Sequence, residues 1–537
     1  MAVHRSFGKI TTSVSHLPTW FFIIGYPLFW LQLYTHTAVQ GVTWPLAWIL
    51  FALMSLRETL FIDQAITFKR WLPSRWSPAM TERFFWSAGF GIALCIIGIG
   101  AMASLKPLHL LQEFDCLQYH YTLPRQHLIL GSFAHIPWAA DDLFLLPIEF
   151  ALAPFWFATV LPNKIPQFII FLGLIGVAMR LTSALAGERR PWAGPLAALV
   201  ILGTHGFGIQ MGTGMLDLIT AYLFLASLDS LRLGNWFLAG VEFNFFFWSK
   251  PLMPAEVVIT IGVLALLFAL VRRNHWQIGE TFALKHWRRA LGFFLILSMF
   301  VAGPFMAKSI YYAGTPFFPL APGMIGPAQI KTHPQAWGSL QEASHIWMEG
   351  TKNNYGHGRA WLSFIKYWWL LAVPEKGVNN AFDYPLGLTY LLFIGPFFFF
   401  LAKDGLQRKF SPLGVLAALG WILWWFTSQQ SRFLYVPLLL VFIVTISRLE
   451  KISRVLFLCL LISLGLEAIS LWDAHRGDVG KWGINDLRGQ DKPLVELNQR
   501  YLQHPSSDYV DWPSHDVAYA QFPVVVHKES LPHTILF

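Results

Sequence analysis

Apolar runs of roughly 18 or more residues recur along this chain, each long enough to cross about 30 Å of hydrocarbon. No other feature narrows the fold as much. A backbone in lipid has no water to bond to, so such runs are helical. The composition agrees: the 537 residues are 55% hydrophobic and 13% charged, with mean hydropathy +0.48, whereas a soluble chain carries nearer a quarter charged residues. The expected fold is an all-α polytopic transmembrane bundle. Thirteen spans are expected, near 18–36, 44–62, 84–105, 166–186, 192–209, 213–231, 236–249, 252–271, 290–307, 384–402, 411–428, 434–447 and 454–472. The first run begins near residue 17 with no small-residue cleavage site after it, and a second follows at once, so it is expected to stay as an anchor.

The charges orient the bundle. The net charge of +9 does not point to nucleic acid, because Lys and Arg gather in short segments between apolar runs. With the N-terminus inside, the cytoplasmic segments hold Lys69, Arg70, Arg75 and Arg83; Arg189 and Arg190; Arg272, Arg273, Lys285, Arg288 and Arg289; Lys403, Arg408 and Lys409; and Arg448, Lys451 and Arg454. The opposite short loops are nearly bare: 37–43 is uncharged and 210–212 is Gln-Met-Gly. That asymmetry is the positive-inside pattern. Counting 141–161 as a span would invert every later loop, and it contains Pro147, Glu149 and Pro154. It is therefore expected to lie at or dip into the outer interface, like the Trp-rich 360–373. Three regions follow: additional N-terminal spans at 1–83, a main transmembrane module at 84–472 with outer loops 106–165 and 308–383, and a small outer tail at 473–537.

Ionisable groups at membrane depth are functional suspects. Asp115 and His120 are an acid/base-capable pair in the first outer loop, with Tyr119 beside them. Asp217 opens an apolar run from the outer side and can also serve as a partner for that helix's dipole. Lys250 closes a very aromatic run, as a snorkelling lysine or a phosphate ligand. Arg432, in the turn 429–433, has the planar fork that suits phosphate. His205, inside a span, is expected to be packed or paired, and His333, His345, Glu349 and His357 are expected to be loop residues. Cys95, Cys116 and Cys459 have no metal-ligand spacing, and no nucleotide-binding or serine-hydrolase motif occurs. No cofactor is indicated, although Asp115 and Asp217 could share a divalent metal if they converge. A carboxylate beside outer-face cations suits group transfer from a lipid phosphate.

The order of motifs resembles the GT-C superfamily of polytopic glycosyltransferases, in particular the bacterial branch related to protein O-mannosyltransferases and the lipid A aminoarabinose transferase. Asp115-Cys-Leu-Gln-Tyr119-His120-Tyr-Thr-Leu-Pro124 looks like that branch's first-loop motif, and Gly-Met-Leu-Asp217-Leu like its second acidic position. Ser249-Lys250-Pro looks like its lysine. Gly314-Thr-Pro-Phe-Phe-Pro319 resembles a Gly-Asn-Pro-x-x-Pro turn, and Arg432-Phe-Leu-Tyr435-Val-Pro437 a late Arg-Tyr-x-x-Pro motif. The likeness spans about 84–447. It implies an inverting transfer of a hexose or pentose from a polyprenyl-phosphate donor to a lipid, glycan or protein acceptor, on the outer face of a bacterial cytoplasmic membrane. Asp115 would be the base or acceptor-orienting carboxylate, with His120 catalytic. Tyr119, Asp217, Lys250, Arg432 and Tyr435 would bind substrate, the two cations on the lipid phosphate. A lipid or small-molecule transporter, or a non-catalytic membrane scaffold, are the competing classes.

Overall fold

The computed structural model describes residues 14–35, 40–61, 80–105, 115–136, 140–156, 164–279, 286–326, 358–373 and 384–479, with single positions 344, 345, 348, 356 and 382. Of the expected tail 473–537, residues 473–479 continue the last helix and the rest lie outside the described residues, as do parts of the 308–383 loop, including His333, Glu349 and His357. The described residues are helical apart from one parallel pairing of Gln277–Ile278 with Lys409–Phe410. Seven helical segments are long and apolar enough to cross a membrane, or eight if a bent pair counts as one span. The bent pair is α12 (Trp287–Val301) and α13 (Gly303–Ala313), which meet at 48°. Pro304 lacks the N–H that would continue the ladder, so the bend falls there.

Several expected spans are shorter helices. The 192–209 run divides at Gly203 and Thr204 into α7 (Ala193–Leu202) and α8 (His205–Gln210). The 213–231 run forms α9 (Asp217–Leu233), 236–249 forms α10 (Trp236–Phe247), and 411–428 forms α16 (Pro412–Phe426). At the centre stands α17 (Tyr435–Arg448), in which every residue from Pro437 to Ser447 is buried. It packs on α16, α6 (Ile165–Ala186), α15 (Leu388–Leu406), α9 and α7. The last helix, α18 (Arg454–Val479), is tied to α8 by His205 and Glu467 at 2.9 Å, so His205 is paired.

Within the segment 141–161, expected to lie at or dip into the outer interface, the helix α5 (Pro147–Trp156) has all ten residues buried. The cover comes from α1 (Thr19–Thr35) and α2 (Gln40–Phe61); α1 sets Phe29 edge-on to Phe150 and Phe21 edge-on to Phe155, both at 4.8 Å. Trp44 and Trp48 also donate to the Phe155 carbonyl. The segment is as apolar as a span because protein, rather than lipid, surrounds it. The other expected interfacial helix, α14 (Trp361–Leu370), is mixed, with Tyr367 buried and Lys366 and Trp369 exposed.

The N-terminal helices are woven into the rest. Just before α1, His16 bridges Glu242 at 2.9 Å and Asp229 at 3.0 Å, and Arg180 and Arg232 bond the same Asp229. Two buried carboxylates thereby receive donors from three residues, which offsets their desolvation. Close approach of α1 to α5 depends on Gly25, where a Cβ would fall 1.8 Å from the Ala151 carbonyl oxygen. Small residues at such crossings let helix backbones meet. We therefore expect Gly25→Val to destabilise the detergent-solubilised protein by about 2 kcal/mol or more. Gly98→Ala, which points into open space, should leave the thermal midpoint within about a degree; equal effects of the two would refute the close-crossing account.

Candidate functional site

The site is built where four helices end. Asp115 follows α3 (Met80–Leu105) and immediately precedes a π-helical turn, Cys116–His120, closed by Tyr121 N–H on the Cys116 carbonyl at 3.0 Å. Such wide turns recur at functional sites because they re-aim side chains. Asp217 is the first residue of α9. Lys250 lies between α10 and α11 (Met253–Arg273), and Arg432 in the 3-10 turn Ser431–Leu434 that leads into α17. On each of α3, α9, α11 and α17 the basic residue (Arg83, Arg232, Arg272 and Arg448) stands at the other end. The four site charges therefore gather at the face opposite the basic loops.

The side chains form one ionic chain. Arg432 Nη1 lies 2.5 Å from Asp115 Oδ2, across 317 positions of sequence, and 3.9 Å from Asp217 Oδ2. Asp217 Oδ1 accepts from Lys250 Nζ, and Gln210 Nε2 donates to Asp217 Oδ2 at 3.3 Å. The Lys250 ammonium also rests 3.8 Å from the centre of the Phe433 ring, a favourable cation–π placement. Two acids and two cations leave the quartet neutral. Burial pulls the Lys250 pKa below the ordinary lysine value although Asp217 opposes it. Burial and the Asp115 charge push the Tyr119 hydroxyl well above the usual tyrosine range, so it stays protonated.

Of the seven residues expected from sequence, four make this quartet and Tyr119 borders it. Asp115 and His120 are not each other's partners. Asp115 goes to Arg432, while His120 Nδ1 pairs with Glu149 Oε1 at 2.8 Å and its ring lies 4.2 Å from that of Tyr119. The π turn separates the two by giving the acid and the imidazole different neighbours. Tyr435 is placed in the core, donating to the Gly206 carbonyl at 2.6 Å and packing on Phe207. Asp115 and Asp217 do converge, on Arg432 Nη1 at 2.5 and 3.9 Å. Among the described residues no group of three or more His, Cys, Asp or Glu is arranged to hold a metal.

Three residues of the site escaped the sequence reading. Glu149 looked like an obstacle to a span, although a lone acid in an apolar run is itself the signal of a buried partner. Gln210 and Phe433 carry no such signal. A second buried cluster also escaped notice. Asp142 accepts from His127 at 2.6 Å, from Lys308 at 2.8 Å and from the Ile136 amide at 2.8 Å. Burial alone would raise the Asp142 pKa, but Lys308 and His127 outweigh it and hold the carboxyl far below the usual range. This cluster fastens the first outer loop to α13, directly before the Gly314–Pro319 turn. There Gly314 takes a left-handed φ of +66°, and a Cβ would meet the Gly326 carbonyl at 2.2 Å.

The ionic chain makes a measurable prediction. Arg432→Gln should cost about 2–3 kcal/mol, at or below the low end for breaking a buried pair because Asp115 retains some solvent. The double variant Asp115→Asn/Arg432→Gln should recover more than half of that loss in thermal unfolding. Additive effects would mean that the two groups are not coupled.

Residues 281–440 match the family model described as a domain of unknown function, DUF8201. That stretch takes in the Gly314–Pro319 turn and Arg432 but not Asp115, Asp217 or Lys250. No curated protein and no solved structure matches the chain.

Proposed function

We propose that this chain is a membrane glycosyltransferase of the GT-C kind, moving a sugar from a polyprenyl-phosphate donor to a lipid, glycan or protein acceptor. The carrying observation is the convergence of Asp115, Asp217, Lys250 and Arg432 at the face opposite the basic loops. The short helices α7 to α10 and α16 then lie within the membrane and complete the thirteen-span threading. That threading sets the basic ends in the cytoplasm and the quartet on the outer face of a bacterial cytoplasmic membrane.

The chemistry follows from exchanging partners. Each cation is held by a carboxylate, so an arriving phosphate displaces carboxylate from guanidinium and ammonium. Arg432 presents a fork to two phosphate oxygens and Lys250 a point charge to a third. Asp115 and Asp217, released, turn to the acceptor hydroxyl or amine and orient it. The acceptor attacks the anomeric carbon from the face opposite the phosphate, which inverts the configuration. The C–O bond to phosphate breaks with its electron pair leaving on the phosphate, where the two cations stabilise it. The bend between α12 and α13 favours a transporter as the second reading, since broken helices recur in transporters.

Both can be measured on the purified protein in lipid nanodiscs and proteoliposomes, with polyprenyl-phosphate hexose and pentose as probes. We expect release of polyprenyl phosphate, reduced about 100-fold or more by Asp115→Asn, with Lys250→Met raising KM for the donor. Undiminished release by Asp115→Asn would sink the catalytic assignment. Movement of intact donor across the bilayer without bond cleavage would establish the transporter instead. Labelling of Asp115→Cys by an impermeant maleimide only from the cytoplasmic side would overturn the orientation.

A further inference from the structure

We infer that His120 is the proton acceptor of the transfer and that Glu149, on the buried helix α5, is the residue that positions it. This rests on the glycosyltransferase reading for its chemistry and on the coordinates for its geometry.

The carboxylates of the quartet have another task. Asp115 Oδ2 accepts from Arg432, and Asp217 accepts from Lys250, Gln210 and, at longer range, Arg432. Released by the phosphate, they hold the acceptor by its hydrogen bond, and a separate group can take the proton. His120 is situated differently. It closes the π turn that Asp115 opens, it is 9% exposed, and only Nδ1 is engaged, on Glu149 at 2.8 Å. Among the described residues nothing bonds to Nε2. Asp115 and His120 stand at the two ends of one five-residue turn, so the dyad adjoins the quartet.

Glu149 has no structural reason to be ionisable. It is wholly buried in an apolar helix between Pro147 and Pro154, its other oxygen, Oε2, has no hydrogen bond, and His120 is its one ion-pair partner among the described residues. A carboxylate in such surroundings is costly unless it is paired. Burial raises its pKa, and the His120 contact opposes that rise. A carboxylate on Nδ1–H fixes the tautomer that leaves Nε2 bare as a base, and it stabilises the imidazolium that forms. The step balances: the acceptor O–H or N–H proton passes to Nε2 as the new bond to the anomeric carbon forms. The phosphate leaves with the electron pair, and the imidazolium afterwards returns its proton to water.

The test needs no knowledge of the acceptor. Diethyl pyrocarbonate carbethoxylates neutral imidazole, and peptide mass spectrometry reads His120 separately from the other histidines across a pH series. The groups that set its midpoint are Asp115 and Tyr119 from its own turn, Glu149 from α5, Asp217 from α9, and Lys250 and Arg432 from the adjoining loops. We expect His120 to react with a titration midpoint that falls by about one unit or more in Glu149→Gln, because the amide keeps an acceptor for Nδ1–H and removes the charge. Glu149→Asp should keep the midpoint within about half a unit of wild type, which separates charge from misfolding. His127, with Nδ1 on the Ser132 carbonyl and Nε2 on Asp142, should stay unreactive in all three. A His120 midpoint unmoved by Glu149→Gln, or a His120 that never reacts, overturns the dyad. In the turnover assay the acid limb of kcat should move by the same shift, with donor KM unchanged. If no transfer is found at all while the labelling shift is present, the glycosyltransferase reading fails and the dyad stands.

Discussion

A charge removed from water must find an opposite charge, and in a chain with so few ionisable groups that requirement decides the architecture. The interior does not distribute its charges evenly. It holds them in closed groups, each of which joins elements far apart in sequence: Asp115 with Arg432, Asp217 with Lys250, His16 with Asp229 and Glu242, and Asp142 with His127 and Lys308. Lipid offers no competing hydrophobic force between helices, so packing and these polar ties fix which helices meet. Of these groups, the candidate site is the one whose members come from four helix ends and are partly exposed.

The same logic explains why the N-terminal helices are not an appendage. The 1–83 region reads as additional spans ahead of a main module, yet α1 covers the buried helix that supplies Glu149. His16 completes the pairing of Asp229 and Glu242 at the basic end. One helix thus supports the site from behind and closes an ion cluster at the opposite face. The site is composite in a way that a division at residue 83 does not convey.

Much of this could be read from the sequence, and the remainder could not for physical reasons. Hydropathy and the side bias of Lys and Arg are properties of whole segments, so they located Asp115, Asp217, Lys250 and Arg432 on one face before any coordinates. Partner choice depends on a few tenths of a nanometre, which no segment property encodes. Hence Asp115 and His120, five positions apart, looked like a pair and are not. The protein cover over α5 was not legible for a related reason: lipid and protein are equally apolar, and composition cannot say which covers a helix. Tyr435 shows the limit of motif likeness, since it falls in a site motif and its hydroxyl bonds the Gly206 carbonyl in the core.

Helix α17 also acts as a ruler. Arg448, at its basic end, is clamped to Asp404 at 2.5 Å, and Arg432 stands 16 residues away. At 1.5 Å per residue that separation is about 24 Å, against about 30 Å of hydrocarbon. If Arg448 marks one membrane boundary, Arg432 is sunk several ångströms beneath the other. On the reading proposed above, a free solute would have to descend into that recess, whereas an anchored phosphate would hang at the depth of the acyl edge. A protein of that thickness would then favour ligands that arrive sideways, through the leaflet.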